Sequence, residues 1–390
     1  EIGLLSSEDM KFLNQYGIVC EDDFDELAIY SYWMNKSKFS SQAVSATVLL
    51  THACNFRCTY CYEGAGEVMN DTMSLKTAQT IINFLIGMSK ESGSKYISVN
   101  LFGGEPLLNI DTGFFILESL AKYCEKNNKK LITAIITNGS LLTPNIIKRL
   151  DTFNCNYIQI TIDGPEQIHN ARRISKNGEP TFYKVLNSIK MVDSLSKANQ
   201  VIRINVDRTN IPVIEEVLAL LKSYDLKKSN IDYGIVRSST DACADYSNNC
   251  LSEEELGDVL ENLWKLSEKY GFRANKRPYR KWLYCGLYNE LNYTFAPNGE
   301  LYKCWEMVGK EQHRMGNFNE NGDMYFSNSY WDWMSHNPAE IEDCKSCEYL
   351  PSCGGGCGID SYNNYATYHA KACFKVKGVI EKQILSMYDI

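Results

Sequence analysis

The cysteine pattern constrains this chain more than any other feature. Cys54, Cys58 and Cys61 stand in a CxxxCxxC loop directly after an apolar, β-branched run at 44–51. A second array, Cys344, Cys347, Cys353 and Cys357, lies near the other end, flanked by Cys285, Cys304 and Cys373. Cys20, Cys124, Cys155, Cys243 and Cys250 stand apart from any motif. Fifteen cysteines in 390 residues is an odd number in a long chain that lacks a signal-peptide start. That argues against a disulfide framework and for metal or redox chemistry in the cytoplasm. The 48 acidic and 40 basic residues are spread without long runs, which makes nucleic acid and anionic membrane poor partners. No stretch approaches the roughly 18 apolar residues of a membrane span.

Between 44 and 240, strand and helix patterns alternate. Strands are expected at 44–51, 96–102, 131–137, 157–162, 201–206 and 231–236, and helices at 74–89, 112–126, 182–195 and 213–224. Thr143 and Pro144 open a short helix as N-cap and first turn. Ser252 with Glu255 forms a capping box. Six strand–helix units in series imply a parallel sheet with right-handed crossovers. The expected fold class is α/β, a partial (β/α)6 TIM barrel, since a closed eight-fold barrel needs two further units. Strand ends carry the 54–61 loop, Gly103-Gly104-Glu105-Pro106, Thr137-Asn138-Gly139, Asp163-Gly164 and Arg237, at the face where barrel enzymes place their chemistry.

Past 270 the pattern changes. Pro297-Asn298-Gly299 between short strands reads as a β-hairpin, and the Cys-, Gly- and Tyr-rich stretch from Asp343 has little periodic core, so it needs a metal to organise it. The domains expected are a lead-in at 1–43, the barrel at 44–240, a linker and bridging helix at 241–279, a cysteine-rich domain at 280–376 and a tail at 377–390.

Three thiolates on a short loop can hold three irons of a cubane and leave the fourth for a small molecule with an amine and a carboxylate. A zinc site with a distant fourth ligand is the plainer alternative. The CxxxCxxC loop, with Tyr60 before its last cysteine and Gly103-Gly104-Glu105-Pro106 one unit later, resembles the radical S-adenosylmethionine (radical SAM) superfamily over about residues 44–240. The resemblance implies a [4Fe-4S] cluster at Cys54, Cys58 and Cys61 whose open iron binds SAM, cleaved to methionine and a hydrogen-abstracting 5'-deoxyadenosyl radical. It also implies that Gly103, Gly104 and Glu105 meet the methionine amine and that Thr161 contacts the ribose. Arg173 and Arg203 are candidates for the carboxylate, and Tyr60 and Asn138 complete the cofactor set. For the arginines the alternative is a solvated charge, and for Asn138 and Asp163 a plain turn. His169 reads as structural.

The C-terminal order, Cys285-x13-Gly299-x4-Cys304, then Cys344-x2-Cys347-x5-Cys353-x3-Cys357 and Cys373, is similar to the seven-cysteine SPASM extension of radical enzymes that modify peptides. By that resemblance Cys344, Cys347, Cys353 and Cys373 hold a distal auxiliary cluster. Cys285, Cys304 and Cys357 hold a proximal one with an open iron, unless Cys243 or Cys250 supplies an eighth ligand. Three [4Fe-4S] clusters and SAM are therefore the expected cofactors. An open iron suits a substrate thiolate. The expected function is a radical SAM oxidoreductase that installs a thioether in a ribosomally made (RiPP) peptide containing Cys, as sactipeptide and ranthipeptide maturases do.

An anaerobic sulfatase-maturing, formylglycine-forming enzyme is the alternative. It is weakened by Trp305 where those enzymes carry an Asp, and by the lack of a further cysteine between Gly286 and Lys303. Carbon–carbon cross-linking or epimerising peptide enzymes also fit, whereas Gly103-Gly104-Glu105 opposes a non-enzymatic iron–sulfur scaffold. Expected partners are the precursor peptide, an external reductant such as flavodoxin or ferredoxin, and a separate leader-recognition protein. The lead-in is too short for a winged-helix leader-binding domain, so a trimmed chain and recognition by the barrel also stay open. Tyr284, Tyr288, Tyr293, Trp305, Trp331, Trp333, Tyr362, Tyr365 and Tyr368 are expected to shield clusters from water, the last three from one helix face.

Overall fold

A computed structural model describes residues 6–15, 23–226, 229–274 and 276–387; Cys20 lies outside them. Eight strands come first: β1 Ala43–Leu49, β2 Phe56–Cys58, β3 Tyr96–Phe102, β4 Lys130–Thr137, β5 Cys155–Thr161, β6 Arg173–Ser175, β7 Asn199–Val206 and β8 Ser229–Ile235. Six of them pair in parallel in the order β1-β3-β4-β5-β7-β8. Helices Leu75–Glu91, Ile110–Lys126, Pro144–Asp151, Phe182–Leu195 and Ile214–Ser223 cross between them. Local chemistry starts these helices where expected. Ser74 accepts from the Thr77 amide, Thr143 from the Ile146 amide ahead of Pro144, and Ser252 with Glu255 closes the capping box. The strand faces that meet these helices are buried, as Ile97, Val99 and Leu101 of β3 are. The β3 residues between them are only part-buried, and the same opposite face of β5 and β7 carries Gln159, Thr161, Arg203 and Asn205 toward a cavity.

Four more strands follow: β9 Asn292–Phe295, β10 Leu301–Tyr302, β11 Gly316–Phe318 and β12 Met324–Phe326. The hairpin they begin is part of the main sheet. β9 lies parallel to β1, with Ser45 opposite Asn292 and Val48 opposite Phe295. The result is one ten-stranded sheet, β12-β11-β10-β9-β1-β3-β4-β5-β7-β8, whose parallel part is an open arc that does not close into a barrel. The core is continuous across it, running from Val44, Ile158 and Ile204 through Tyr293 and Phe295 to Trp333 and Tyr368.

Beyond the sheet, buried cations also hold loops by their backbone carbonyls. Lys303, fully buried, donates to the carbonyls of Asn289 and Asn292 at 2.8 Å, and burial lowers its pKa to about 7. Lys38 donates to the carbonyls of Met334 and His336 at 2.7 and 2.6 Å. Tyr288 stacks on Trp333 and His336, each at 4.7 Å. Tyr288, Tyr293, Trp333 and Tyr368 are therefore buried, but Trp331 and Tyr365 are 60% and 50% exposed. The tyrosines at 362, 365 and 368 do not share one helix face, because the helix Gly358–Tyr365 ends where Ala366 turns left-handed at φ 55°. No helix among the described residues is long and apolar enough to cross a membrane.

Candidate active site

The loop after β1 is set by backbone contact with the end of β3. The Gly104 amide donates to the Thr51 carbonyl and the Glu105 amide to that of Ala53, both at 2.9 Å. A Cβ on Gly103 would lie 2.3 Å from the Thr51 oxygen, and one on Gly104 would lie 2.4 Å from the His52 oxygen. Only glycine permits two backbones to approach this closely. Both glycines also line a cavity of about 460 Å³ with Cys54, Cys58 and Cys61.

Tyr60, Asn138, Thr161, Arg173 and Arg203 line the same cavity, so the fold gathers the expected cofactor residues at one place. Glu105 is the exception. It is fully buried behind the wall, where its carboxylate accepts from the Leu107 amide, the Thr137 hydroxyl and the Asn138 amide at 3.0, 2.7 and 2.8 Å. Burial pushes its pKa up against the pull of those donors. Asn138 closes its turn through Ser140, and its side-chain amide donates to Asn55 at 2.8 Å, inside the cysteine loop.

Arg173 reaches the site through a two-stranded ribbon, β2 with β6, in which it stands opposite Cys58. Its guanidinium donates to the Tyr60 hydroxyl at 2.7 Å. That hydroxyl also bonds Asp163 and accepts from the Asn205 side chain at 3.0 Å. The Nε of Arg173 is buried without a hydrogen-bond partner, and that of Arg172 has only the Asp163 carboxylate, 3.8 Å away, while its guanidinium bonds both oxygens of Asp207 at 2.7 and 2.6 Å. His169 accepts from the Asp163 amide at 3.3 Å, and burial beside both arginines holds its pKa well below the usual range. It is a neutral structural group. Arg203 bonds Asn205 and pairs with Asp232. A Cβ on Gly234 would lie 1.8 Å from its guanidinium, so that glycine makes its seat.

The far wall of the cavity holds Tyr62, Glu63, Arg237, Trp305 and Glu306. Tyr62 follows Cys61 in the chain and shares the cavity lining with Trp305 and Glu306, and burial, then the Glu63 and Glu306 carboxylates, push its phenol well above the usual range. Burial raises the Glu63 carboxyl to about 7. Cys285, Cys304 and Cys357 are close enough for their charges to repel one another, and burial is the main force pushing the Cys285 thiol up to about 12. Cys344, Cys347, Cys353 and Cys373 line a second cavity of about 70 Å³. Among the described residues no three His, Cys, Asp or Glu side chains converge on a single ion position. The three thiol groups are all-sulfur donor sets, which suit iron–sulfur clusters, and the unpartnered Arg173 Nε suits an anionic ligand beside the first. The Cys243 thiol faces the carbonyls of Arg237 and Thr240 at 3.6 and 3.4 Å, and the Cys250 thiol that of Tyr246 at 3.7 Å, all within their own loop.

Residues 48–221 match the Radical SAM superfamily. That stretch is a radical SAM domain. Over 385 residues the chain is 23% identical to the radical SAM cyclopropyl synthase TigE of Paramaledivibacter caminithermalis, covering 92% of this chain and 78% of TigE. It is 22% identical over 324 residues to the cysteine-type anaerobic sulfatase-maturating enzyme of Clostridium perfringens, covering 78% of this chain and 85% of that enzyme. The solved structure of native anSMEcpe with bound AdoMet and Cp18Cys peptide superposes with a TM-score of 0.67 at 19% identity, over 89% of this chain and 98% of that one, which shows the shared fold. Arg172, Asn205, Asp207, Tyr62, Glu63 and Gly234 had no motif to announce them. The signal available was position alone, at the end of a strand or directly after Cys61.

Proposed function

We propose that this radical SAM enzyme modifies a ribosomally made, cysteine-containing peptide and joins the cysteine sulfur to carbon as a thioether. One observation carries the reading: Trp305 and Glu306, directly after Cys304, line the cavity that also holds Cys54, Cys58 and Cys61, while the Cys243 and Cys250 thiols are spent on their own loop. Cys285, Cys304 and Cys357 would then hold a cluster with one position free for a substrate thiol, within reach of the cavity. Cys344, Cys347, Cys353 and Cys373 would hold a distal cluster, giving three [4Fe-4S] clusters with that of Cys54, Cys58 and Cys61.

In this reading SAM, when bound with the clusters, supplies a hydrogen-abstracting radical and a place for one electron. The chain holds and orients the reactants. Gly103 and Gly104 let the methionine end approach, Arg173 and Arg203 take its carboxylate, and Thr161 meets the ribose. Tyr60 fixes Arg173. Glu105 acts as a positioning residue through Thr137 and Asn138. One carbon–sulfur bond forms as the peptide loses two hydrogens, the first in 5'-deoxyadenosine and the second as the thiol proton. An external flavodoxin or ferredoxin supplies the starting electron, and the oxygen sensitivity of such a site fits the cytoplasm. A separate leader-recognition protein would complete the system.

A second reading is a carbon–carbon bond-forming or formylglycine-forming enzyme. The extended similarity to TigE and to the sulfatase-maturating enzyme favours it, while Trp305 weighs against the formylglycine chemistry. The test is anaerobic reaction of the reduced holoenzyme with SAM and the cysteine-containing peptide encoded beside it. A thioether gives 5'-deoxyadenosine, loss of two hydrogens and a sulfur that resists iodoacetamide. Loss of two hydrogens with the thiols still alkylable gives the carbon–carbon reading, and an aldehyde captured by a hydrazide gives formylglycine.

A further inference from the structure

The chain has a formal charge of -8, yet five basic residues fall between Arg273 and Lys281. Lys276 pairs with Glu268 at 2.7 Å, but among the described residues Arg277 and Arg280 reach no carboxylate. Arg280 of this segment lies beside an aromatic stack. Trp282 packs face to face on Trp33 of helix Glu26–Lys38, at 6.0 Å and 20°, and Tyr32 meets Trp33 edge-on at 5.4 Å. The Lys36 ammonium sits 4.4 Å above the Trp33 ring, the Arg280 guanidinium 5.3 Å from that of Trp282, and the Lys281 ammonium 5.2 Å from that of Tyr279.

The stack is open to solvent. Tyr32 is 61% exposed, Tyr279 60% and Trp33 39%. Its back is fixed: Tyr30 donates to the Trp282 carbonyl at 3.2 Å, and Tyr30 and Met34 pack with Ile341, Cys344 and Leu350 beside the distal thiol group. A rigid, contiguous aromatic face left in water marks an interaction surface. Cations held over rings rather than in ion pairs keep their positive field, and an arginine free of carboxylates can take one in a bidentate pair.

We infer that this face, formed by Tyr32, Trp33, Lys36, Arg280 and Trp282 with the exposed Arg277 three residues before Arg280 in the chain, docks an acidic, apolar-containing stretch of the peptide substrate away from the residues that are modified. The inference rests on the reading that the substrate is a peptide. Carboxylates would meet the arginines while aliphatic side chains lie on the indoles. The site confers attachment, not chemistry: it raises the local concentration of peptide at the cavity, so its loss raises KM and leaves kcat. A basic aromatic face can also stack single-stranded nucleic acid. Here the positive charge is confined to one segment of an acidic chain, which favours a short acidic peptide.

Fluorescence anisotropy of the intact holoenzyme with a fluorescein-labelled peptide of alternating Glu and Leu tests this. Binding should be saturable, weakened by salt, and reduced about tenfold or more by Arg277→Glu with Arg280→Glu and by Trp33→Ala. Formation of 5'-deoxyadenosine without peptide should be the same in those variants as in the parent, which shows that they fold. Equal binding by parent and variants would overturn the inference. So would equal binding of an alternating Lys and Leu peptide or of oligothymidylate, or a sedimentation dimer of the parent that the variants abolish. Peptide binding by an enzyme that forms no 5'-deoxyadenosine would contradict the radical chemistry and leave the docking face standing.

Discussion

Arg237, just past the end of β8, donates to both carboxylate oxygens of Glu306 at 3.2 and 3.0 Å. The same guanidinium pairs with Asp360 and lies 5.0 Å from the Phe374 ring. One side chain thus ties the last parallel strand to segments that start at Cys304 and Cys357. Without it two part-buried carboxylates face each other beside thiolates. Arg237→Leu is expected to cost about 2 kcal/mol, less than a fully buried pair because all three groups keep some contact with water. It should also lower iron content at the proximal group. Denaturant midpoints and iron per chain check this, and Glu306→Gln in the same background should recover part of the loss.

Two glycines should respond to different degrees. Gly104→Ala sets a Cβ 2.4 Å from a backbone oxygen that cannot yield, so the loop after β1 shifts and SAM cleavage falls by orders of magnitude. Gly234→Ala meets only the flexible end of Arg203. That variant should fold normally and bind SAM more weakly, which equilibrium dialysis and melting temperature together would show.

The regular fold was legible because it rests on local signals. The expected strand at 96–102 matches β3 residue for residue, and the Ser74, Thr143 and Ser252 caps act within three residues of themselves. The β2–β6 ribbon was not legible, since strands of three residues carry no period and their partner lies far along the chain. The pairing of β9 with β1 was hidden for the same reason, so the hairpin read as separate from the barrel. At the site, residue types were legible and side-chain directions were not. Glu105 reads as a ligand-facing acid until the donors of Thr137 and Asn138 are seen to enclose it.

That enclosure gives a prediction for Glu105→Gln. One of its two accepting oxygens becomes a donor facing a donor, which should cost about 2 kcal/mol in stability and weaken SAM binding as the Thr137–Asn138 turn relaxes. If Glu105 met SAM directly, binding would fall with no change in melting temperature.

Buried histidines set a pH dependence. His336 and His313 bond Tyr368 at 2.8 and 2.6 Å, and burial lowers both pKa values from 6.5 to about 4. The unfolded chain takes up these protons first, so the stability they contribute is present above about pH 6.5 and is lost as pH falls toward 4. His336→Phe keeps a ring against Tyr288 and removes one titration. Between pH 7 and 5 it should lose about 2 kcal/mol less than the parent, read from urea midpoints under anaerobic conditions.

Cys285, Cys304 and Cys357 are proposed to leave one cluster position open for a substrate thiol, and pulsed electron paramagnetic resonance tests that most directly. The variant Cys54→Ala, Cys58→Ala, Cys61→Ala keeps only the auxiliary groups. After reduction and addition of glutathione labelled with carbon-13 at its cysteine Cβ, the expected result is a carbon-13 hyperfine coupling that disappears when Cys304→Ala is added. A spectrum unchanged by glutathione, with no carbon-13 coupling, would contradict an open position and with it the thioether reading.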